Sequence, residues 1–319
     1  MADRTLVKSG AGFAAVHAAP QGPETPAAEM TYSICRKKRR PGEATLRGVI
    51  VLCAAVVVLI LLAMLVYIAV RGIPRLSWAF LSTKPSVLRG TVGILPSIIN
   101  TLYIIVITLL IVTPIGVGAA IYLNEYAGKG GLVKAIEFTT ETLSGIPSIL
   151  FGLFGAILFG TTFGLGYSIL TGALTLTIMT LPIIVRTTQE ALKTVPTLYR
   201  EGALGIGATK WYMIRTILLP SAMPGIITAV ILSVGRIVAE SAALIFTAGI
   251  ATGLPKNLFG HALQSGSTLT VELYQYAANR GDNDTAFGIA VVLIAVVLAV
   301  NLSTKLISRG IGRKNRGNQ

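Results

Sequence analysis

Charge is scarce in this chain. Asp, Glu, Lys and Arg make up only 13% of its 319 residues, and 53% are hydrophobic. Soluble domains carry about 25% charged residues, so an ordinary water-soluble fold is excluded. A mean hydropathy of +0.74 says the same. Cysteine and histidine are nearly absent. Cys35 lies in a basic stretch and Cys53 in an apolar run, with neither metal-ligand spacing nor a pattern that implies a disulfide. His17 and His261 are far apart and lack carboxylate or cysteine company, so no metal site is expected. The chain also lacks G-x-x-x-x-G-K-[ST], the phosphate-cradling loop of nucleotide hydrolases. Gly205-Ile206-Gly207-Ala208-Thr209-Lys210 has glycines and a lysine at the wrong spacing. This chain is not expected to hydrolyse ATP, and neither ATP nor Mg is expected as a cofactor of its own.

What is abundant is positive charge in particular places. The formal net charge is +14 and the isoelectric point about 10.0. In a soluble protein that balance would suggest nucleic acid. Here the basic residues lie between apolar runs and at the two ends, without interleaved aromatics, which is how membrane proteins fix their orientation. Residues 1–46 are polar, rich in Ala, Pro and Gly, and end in the cluster Arg36 to Arg40 followed by Arg47. They read as a disordered basic cytoplasmic tail rather than a cleaved signal peptide. Residues 47–319 read as one transmembrane domain.

Six apolar runs are long enough to span a bilayer, each needing about 20 residues. They are Val49–Val70, Ser97–Leu123 with Pro114 inside, Ile136–Phe159, Tyr167–Val185, Leu218–Ala248 and Ala286–Ile307. Insertion scales assign roughly −0.3 to −0.6 kcal/mol to each central Leu, Ile, Val or Phe, which strongly favours the first and last. The third is rich in glycine, and small residues let helices approach closely, so it is expected inside the bundle. Lys and Arg concentrate in the tail, residues 124–135, residues 186–217 and the C-terminus, which places both ends in the cytoplasm. Residues 249–285 then form the longest external segment, a connection with some packing against the outer mouth, or a docking surface.

Between the fourth and fifth spans the chain reads Glu201-Gly202-Ala203-Leu204-Gly205-Ile206-Gly207, then nine residues, then Ile217-Leu218-Leu219-Pro220. Thr194 is placed to cap a helix with Pro196 in its first turn. Gly207 suits the end of that helix or a sharp bend. A second helix runs from about Thr209, and Pro220 marks its junction with the fifth span. This stretch resembles the EAA loop of ABC importer permeases, whose pattern is E-A-A, three residues, G, nine residues, I-x-L-P. Every spacing matches, and the one departure is Gly202 in place of alanine. The resemblance implies an all-α membrane protein of the type I (MetI-like) permease fold with six transmembrane helices. It further implies that Glu201, Gly202, Ala203, Gly207, Ile217, Leu219 and Pro220, within a coupling loop over 187–217, engage a separate ATP-binding subunit. The alternative is an ordinary cytoplasmic helical hairpin.

Inside the fifth run, Arg236 and Glu240 are four residues apart and so share a face of a continuous helix. Ser233 and Thr247 fall within roughly 60° of them on a helical wheel. A charge in a span costs on the order of 2.5–3.5 kcal/mol and generally faces the bundle interior or a water path. The stripe is therefore a candidate substrate pathway, with Arg236 gripping a tetrahedral oxyanion and Glu240 holding the arginine when the path is empty. A self-neutralising structural ion pair is the other reading.

Gly235-Arg236-Ile237-Val238-Ala239-Glu240-Ser241-Ala242 resembles a segment of phosphate importer permeases. So do Ile121 to Tyr126, Leu143 to Ser148 with Phe151 to Gly155, and Pro182 to Thr188. The resemblance is to permeases of the PstA type and covers residues about 93 to 308. It implies a multi-pass inner-membrane (plasma-membrane) subunit in contact with lipid. The implied partners are a homologous PstC-like permease, two PstB-like ATP-binding subunits that bind ATP and Mg, and an external PstS-like phosphate-binding protein, with no nucleic acid. A permease for another oxyanion or small solute, an ion-coupled secondary transporter and a non-transporting membrane scaffold are the competing readings.

Overall fold

The computed structural model of the chain describes residues 41–86, 91–128, 130–254 and 257–316. Residues 1–40 of the expected tail, with His17, Cys35 and the cluster Arg36 to Arg40, lie outside the described residues. Helix α1 (Pro41–Gly72) begins ahead of the expected boundary at residue 46. The chain divides into two units after Val57. In the first unit the described residues 41–57 are helical throughout, and the large apolar side chains from Val49 to Val57 are exposed.

The second unit, Val58–Gln319, continues α1 and then carries twelve more α-helices among its described residues. In chain order these are α2 (Trp78–Ser82), α3 (Leu95–Ile121), α4 (Gly131–Ser144), α5 (Ser148–Gly155), α6 (Ile169–Lys193) and α7 (Thr197–Gly205). They are followed by α8 (Lys210–Met213), α9 (Leu219–Ala239), α10 (Ala242–Thr247), α11 (Leu258–Ala262), α12 (Leu269–Tyr274) and α13 (Asn283–Arg316). Widened π-type turns extend α3 through Tyr122–Tyr126 and α5 through Ala156–Thr162, lead from α8 into α9 over Ile214–Leu218, and extend α12 through Gln275–Asn279.

Among the described residues, five helical stretches are long and apolar enough to cross a membrane: Thr45–Arg75, Leu95–Tyr126, Ile169–Lys193, Lys210–Ala239 and Asn283–Leu306. The third expected span is different. Val133–Ser144 and Ser148–Thr162 meet at a bend of 104° and make a sixth span only if counted as one. The reason lies in Gly145-Ile146-Pro147. Proline cannot donate a helical hydrogen bond and pushes the residue before it out of the α region. Pro114, by contrast, leaves α3 unbroken, and α6 runs eight residues beyond its expected end at Val185.

Helix α6 is the axis of the bundle and the most deeply covered span, packing against α3, α9 and α5. The hydroxyls of its Thr175, Thr177 and Thr180 donate to carbonyls one turn back at 2.7–2.8 Å, whereas the buried Thr188 hydroxyl has no partner among the described residues. The main core gathers Ile104, Phe151, Leu176, Ile237, Leu244 and Val271 from six helices. Within a bilayer such packing replaces hydrophobic transfer as the main attraction between helices. Close approach is essential at Gly152, where a Cβ would stand 2.7 Å from the Ala243 Cα on α10.

In the segment expected to be external, the described residues 249–254 and 257–285 fold against the bundle. Leu269, Val271 and Glu272 are buried, and α12 packs on α13. The Asn100 amide donates to the Ser267 carbonyl at 3.1 Å, and His261 Nε2 meets Asn100 Oδ1 at 2.7 Å. Ser267 donates to one carboxylate oxygen of Glu272 at 2.9 Å, while Oε1 has no partner among the described residues. Burial raises the Glu272 carboxyl above its ordinary value of 4.5, outweighing the hydroxyl of Ser267 and the charge of Arg280.

Two measurements follow from this packing. Gly152→Val forces backbone apart and is expected to destabilise the detergent-solubilised protein by about 1–3 kcal/mol, whereas Gly118→Ala, with open space around it, changes thermal unfolding little. Folded Glu272 also keeps a proton that the unfolded chain has already lost, so its contribution is complete below about pH 4.5 and declines as pH rises through the folded value. Thermal unfolding across pH should show that decline in the wild type and a flatter profile in Glu272→Gln.

Candidate functional site

The cytoplasmic loop between α6 and α9 is built on a small apolar floor. Ala203 is the buried residue of α7. It joins Leu192, Val195, Met213, Ile214 and Leu218 in one cluster, with Ala208, Ile217 and Leu219 packed at its margin. Glu201 and Gly202, beside Ala203, face outward and are exposed. Nothing lies within 4 Å of a Cβ added at Gly202, so glycine here is not required by space.

Gly207 ends α7 as the sequence implies, with φ +84°. Its N–H donates to Leu204 O at 3.0 Å and the Ala208 N–H donates to Ala203 O at 3.0 Å, the paired bonds of a Schellman termination. Thr209 then caps α8 by accepting from the Tyr212 N–H at 3.3 Å.

Two expected details differ. Thr194 does not start α7; it ends the extended α6, its hydroxyl donating to Ala191 O at 2.8 Å, and Pro196 sits directly before α7. Pro220 is not a junction either. Lys210–Ala239 is one helical run of 30 residues. The Leu219 N–H reaches back five residues to Ile214 O, and this widened turn precedes the proline.

Residues that sequence reasoning passed over hold the loop in place. Arg200 donates from Nε to Glu125 Oε1 at 3.2 Å, from Nη1 to Val195 O at 3.0 Å and from Nη2 to Leu192 O at 2.8 Å. The side chains of Arg200 and Glu125 are 19% and 6% exposed. Lys210 Nζ lies 4.9 Å from the Tyr126 ring centroid. The available signal was a lone carboxylate, Glu125, at the cytoplasmic end of a span. On the far side the loop exposes Leu198, Tyr199, Leu204, Ile206, Trp211 and Tyr212. Ile206 is 87% exposed, and an apolar patch of this kind on a polar loop marks an interaction site.

The fifth expected span is broken. Helix α9 stops at Ala239 and α10 starts at Ala242. Glu240 is buried, and its Oε1 accepts the Ala243 N–H at 3.1 Å, while its carbonyl accepts from the Thr270 hydroxyl at 2.8 Å. It therefore caps α10 instead of holding Arg236, and no ion pair joins the two among the described residues. Ser233 and Thr247 are fully buried, their hydroxyls donating to Ala229 O and Ala243 O at 2.9 and 2.8 Å. The four residues do not form one stripe. Arg236 alone is exposed, in line with Pro224, Thr228 and Leu232 at four-residue spacing on the uncovered face of α9.

At the inner end, a cavity of about 250 Å³ is lined by Glu137, Glu141 and Glu190 with Arg186 and Lys193. Arg186 pairs with Glu141 at 3.8 Å and Glu190 at 3.5 Å. Three carboxylates against two cations suit an anion poorly.

Residues 113–317 match the family model of the binding-protein-dependent transport system inner membrane component. The chain belongs to this permease family. It is 37% identical to the probable ABC transporter permease YqgI of Bacillus subtilis over 287 residues, covering 85% of this chain and 96% of that protein. It is 34% identical to the phosphate transport system permease PstA of Pasteurella multocida over 240 residues, covering 74% and 83%. In fold it is similar to a bacterial alginate ABC transporter crystallised with a pentasaccharide-bound periplasmic protein. The TM-score is 0.64, the identity 17% and the coverage 85% of this chain and 96% of that one. The permease is thus a multi-pass inner-membrane transport component of the expected all-α importer architecture.

The permease loop makes a local prediction. Gly207→Ala places a Cβ in the left-handed region and should cost about 1–2 kcal/mol, lowering thermal stability. Gly202→Ala meets no obstacle and should hold or slightly raise it, by up to about 1 kcal/mol.

Proposed function

We propose that this permease is one subunit of an ATP-driven phosphate importer, lining half of the path and coupled to a separate ATPase through residues 187–217. The carrying observation is the loop itself. Helices α7 and α8 are fixed on their inner side by the Ala203 floor and the Gly207 turn, and they present Glu201, Gly202 and an apolar patch outward. That surface suits the groove of an ATP-binding subunit, which would carry the ATP and Mg. A homologous PstC-like permease, two PstB-like ATPases and a PstS-like external binding protein complete the proposed assembly.

The substrate assignment draws on relatives named as phosphate transport permeases and on Arg236. An arginine exposed to hydrocarbon is costly, so its face on α9 is suited to a second subunit or a water path. The planar guanidinium offers paired donors to a tetrahedral oxyanion. In this reading Glu240 shapes the site by capping α10 and leaves the arginine charge uncancelled. Ser233 and Thr247 support the surrounding helices from buried positions.

Uptake of radiolabelled phosphate at low micromolar concentration, in phosphate-starved cells lacking this chain, tests the reading. Wild type restores ATP-dependent uptake, and a Glu201→Ala/Gly207→Ala double variant does not. Arg236→Gln, losing a charge-assisted contact, lowers uptake on the order of tenfold with the ATPase still bound. Unchanged phosphate uptake on deletion, with no second system present, redirects the assignment to another oxyanion. Uptake abolished by collapsing the proton gradient at constant ATP redirects it to an ion-coupled carrier.

A further inference from the structure

The coupling loop is attached to the bundle in two physically different ways. One is apolar: Ala203, Met213 and Ile214 rest on Leu192 and Val195. Contacts of this kind are non-directional and tolerate sliding. The other is directional. Arg200 on α7 reaches Glu125, and Lys210, the first residue of α8, lies over Tyr126. Each helix of the loop is thus tied through one cation to one of two consecutive residues.

Those two residues close the widened turn Tyr122–Tyr126, which continues directly from α3. The Glu125 carboxylate is itself held by Asn124 Nδ2 at 2.6 Å. Arg200 also donates to Leu192 O in the last turn of α6 and to Val195 O just past the end of that helix. One guanidinium therefore joins α7, the end of α3 and the end of α6. Its planar fork fixes the relative orientation of all three, which a flexible ammonium would not. With side-chain exposures of 19% and 6%, the pair is only weakly screened by solvent. Helices α3 and α6 in turn pack along each other and against α9, which carries Arg236.

We propose that Arg200 and Glu125 are positioning residues that pass displacement of the coupling loop into α3 and α6, with Lys210 on Tyr126 as a second tether. This rests on the importer reading above. Neither residue touches the transported solute. Without the link, α7 still docks a partner through its outward face but slips on its apolar floor, so closure of the partner is spent without moving the bundle.

The test uses the whole complex in proteoliposomes, with ATP hydrolysis and phosphate uptake measured in the same vesicles. Wild type must first show hydrolysis stimulated by the phosphate-loaded binding protein together with uptake; if it does not, the importer reading itself fails before any variant is compared. In Glu125→Gln, which keeps size and loses charge, and in Arg200→Lys, which keeps charge and loses the fork, the ATPase subunit is expected to co-purify in the wild-type ratio. ATP hydrolysed per phosphate imported should rise about fivefold or more, the lower end of ordinary coupling energies. Glu125→Asp should recover part of the loss, and Lys210→Ala should give a smaller rise. A ratio within about twofold of wild type in both main variants overturns the proposal, even if total activity falls, because a purely structural role scales hydrolysis and uptake together. Loss of the ATPase subunit from Glu125→Gln also overturns it, because the pair would then hold the docking surface together instead of transmitting its movement.

Discussion

Hydrocarbon offers a peptide group no hydrogen-bond partner, and that constraint governs where this chain is allowed to stop being helical. It departs from helix twice within expected spans, at Gly145-Ile146-Pro147 and at Glu240-Ser241. The second break is closed by its own surroundings. The Glu240 carboxylate takes the Ala243 N–H, and its carbonyl is taken by Thr270 of α12. The two segments that follow the breaks, α5 and α10, then pack on each other with Gly152 against the Ala243 backbone. The second break therefore lies against neighbouring protein, whereas Gly145 and Pro147 at the first are exposed on this subunit. The segment that follows belongs to the same arrangement, because Thr270 binds the Glu240 carbonyl and Val271 joins the main core.

At the cytoplasmic end the problem is reversed, since water is available and order has to be imposed. A nine-residue helix such as α7 is too short to persist alone. It is held by one buried methyl at Ala203, by a glycine that supplies the left-handed turn, and by Arg200 beneath it. The partition is economical. The inner side of the loop is committed to the permease, and the outer side, with Leu198, Ile206 and Trp211, stays free for a partner.

Much of this was legible in the sequence and some was not, for reasons that can be named. The apolar runs marked the membrane segments because bilayer thickness sets helix length. The turn at Gly207 was legible because only one backbone conformation explains a glycine between two short helical patterns. The break at Pro147 was not legible, and the kink expected at Pro114 does not interrupt α3, since the two prolines look alike locally while only the second stands at a break. The face shared by Arg236 and Glu240 was an inference from periodicity alone, and it failed because periodicity presumes an unbroken helix. Nothing local separates a glutamate that continues a helix from one that caps the next. Glu125 and Arg200, 75 positions apart, carry no sequence pattern that joins them.

The failure at Glu240 sharpens the reading of Arg236. Had the two formed a pair, the span would have been close to neutral, and an arginine already satisfied has little to offer a passing anion. With Glu240 turned to the α10 backbone and buried, the arginine keeps its charge on the uncovered face of α9, one turn beyond Leu232 and two beyond Thr228. An unpaired guanidinium against lipid costs on the order of 2.5–3.5 kcal/mol on insertion scales, so that face is stable only against water or another subunit. On the proposed reading, the residue that makes the isolated subunit incomplete is also the one that meets the solute. Assembly with a second subunit then encloses that face, and the charge Arg236 already carries comes to line a path.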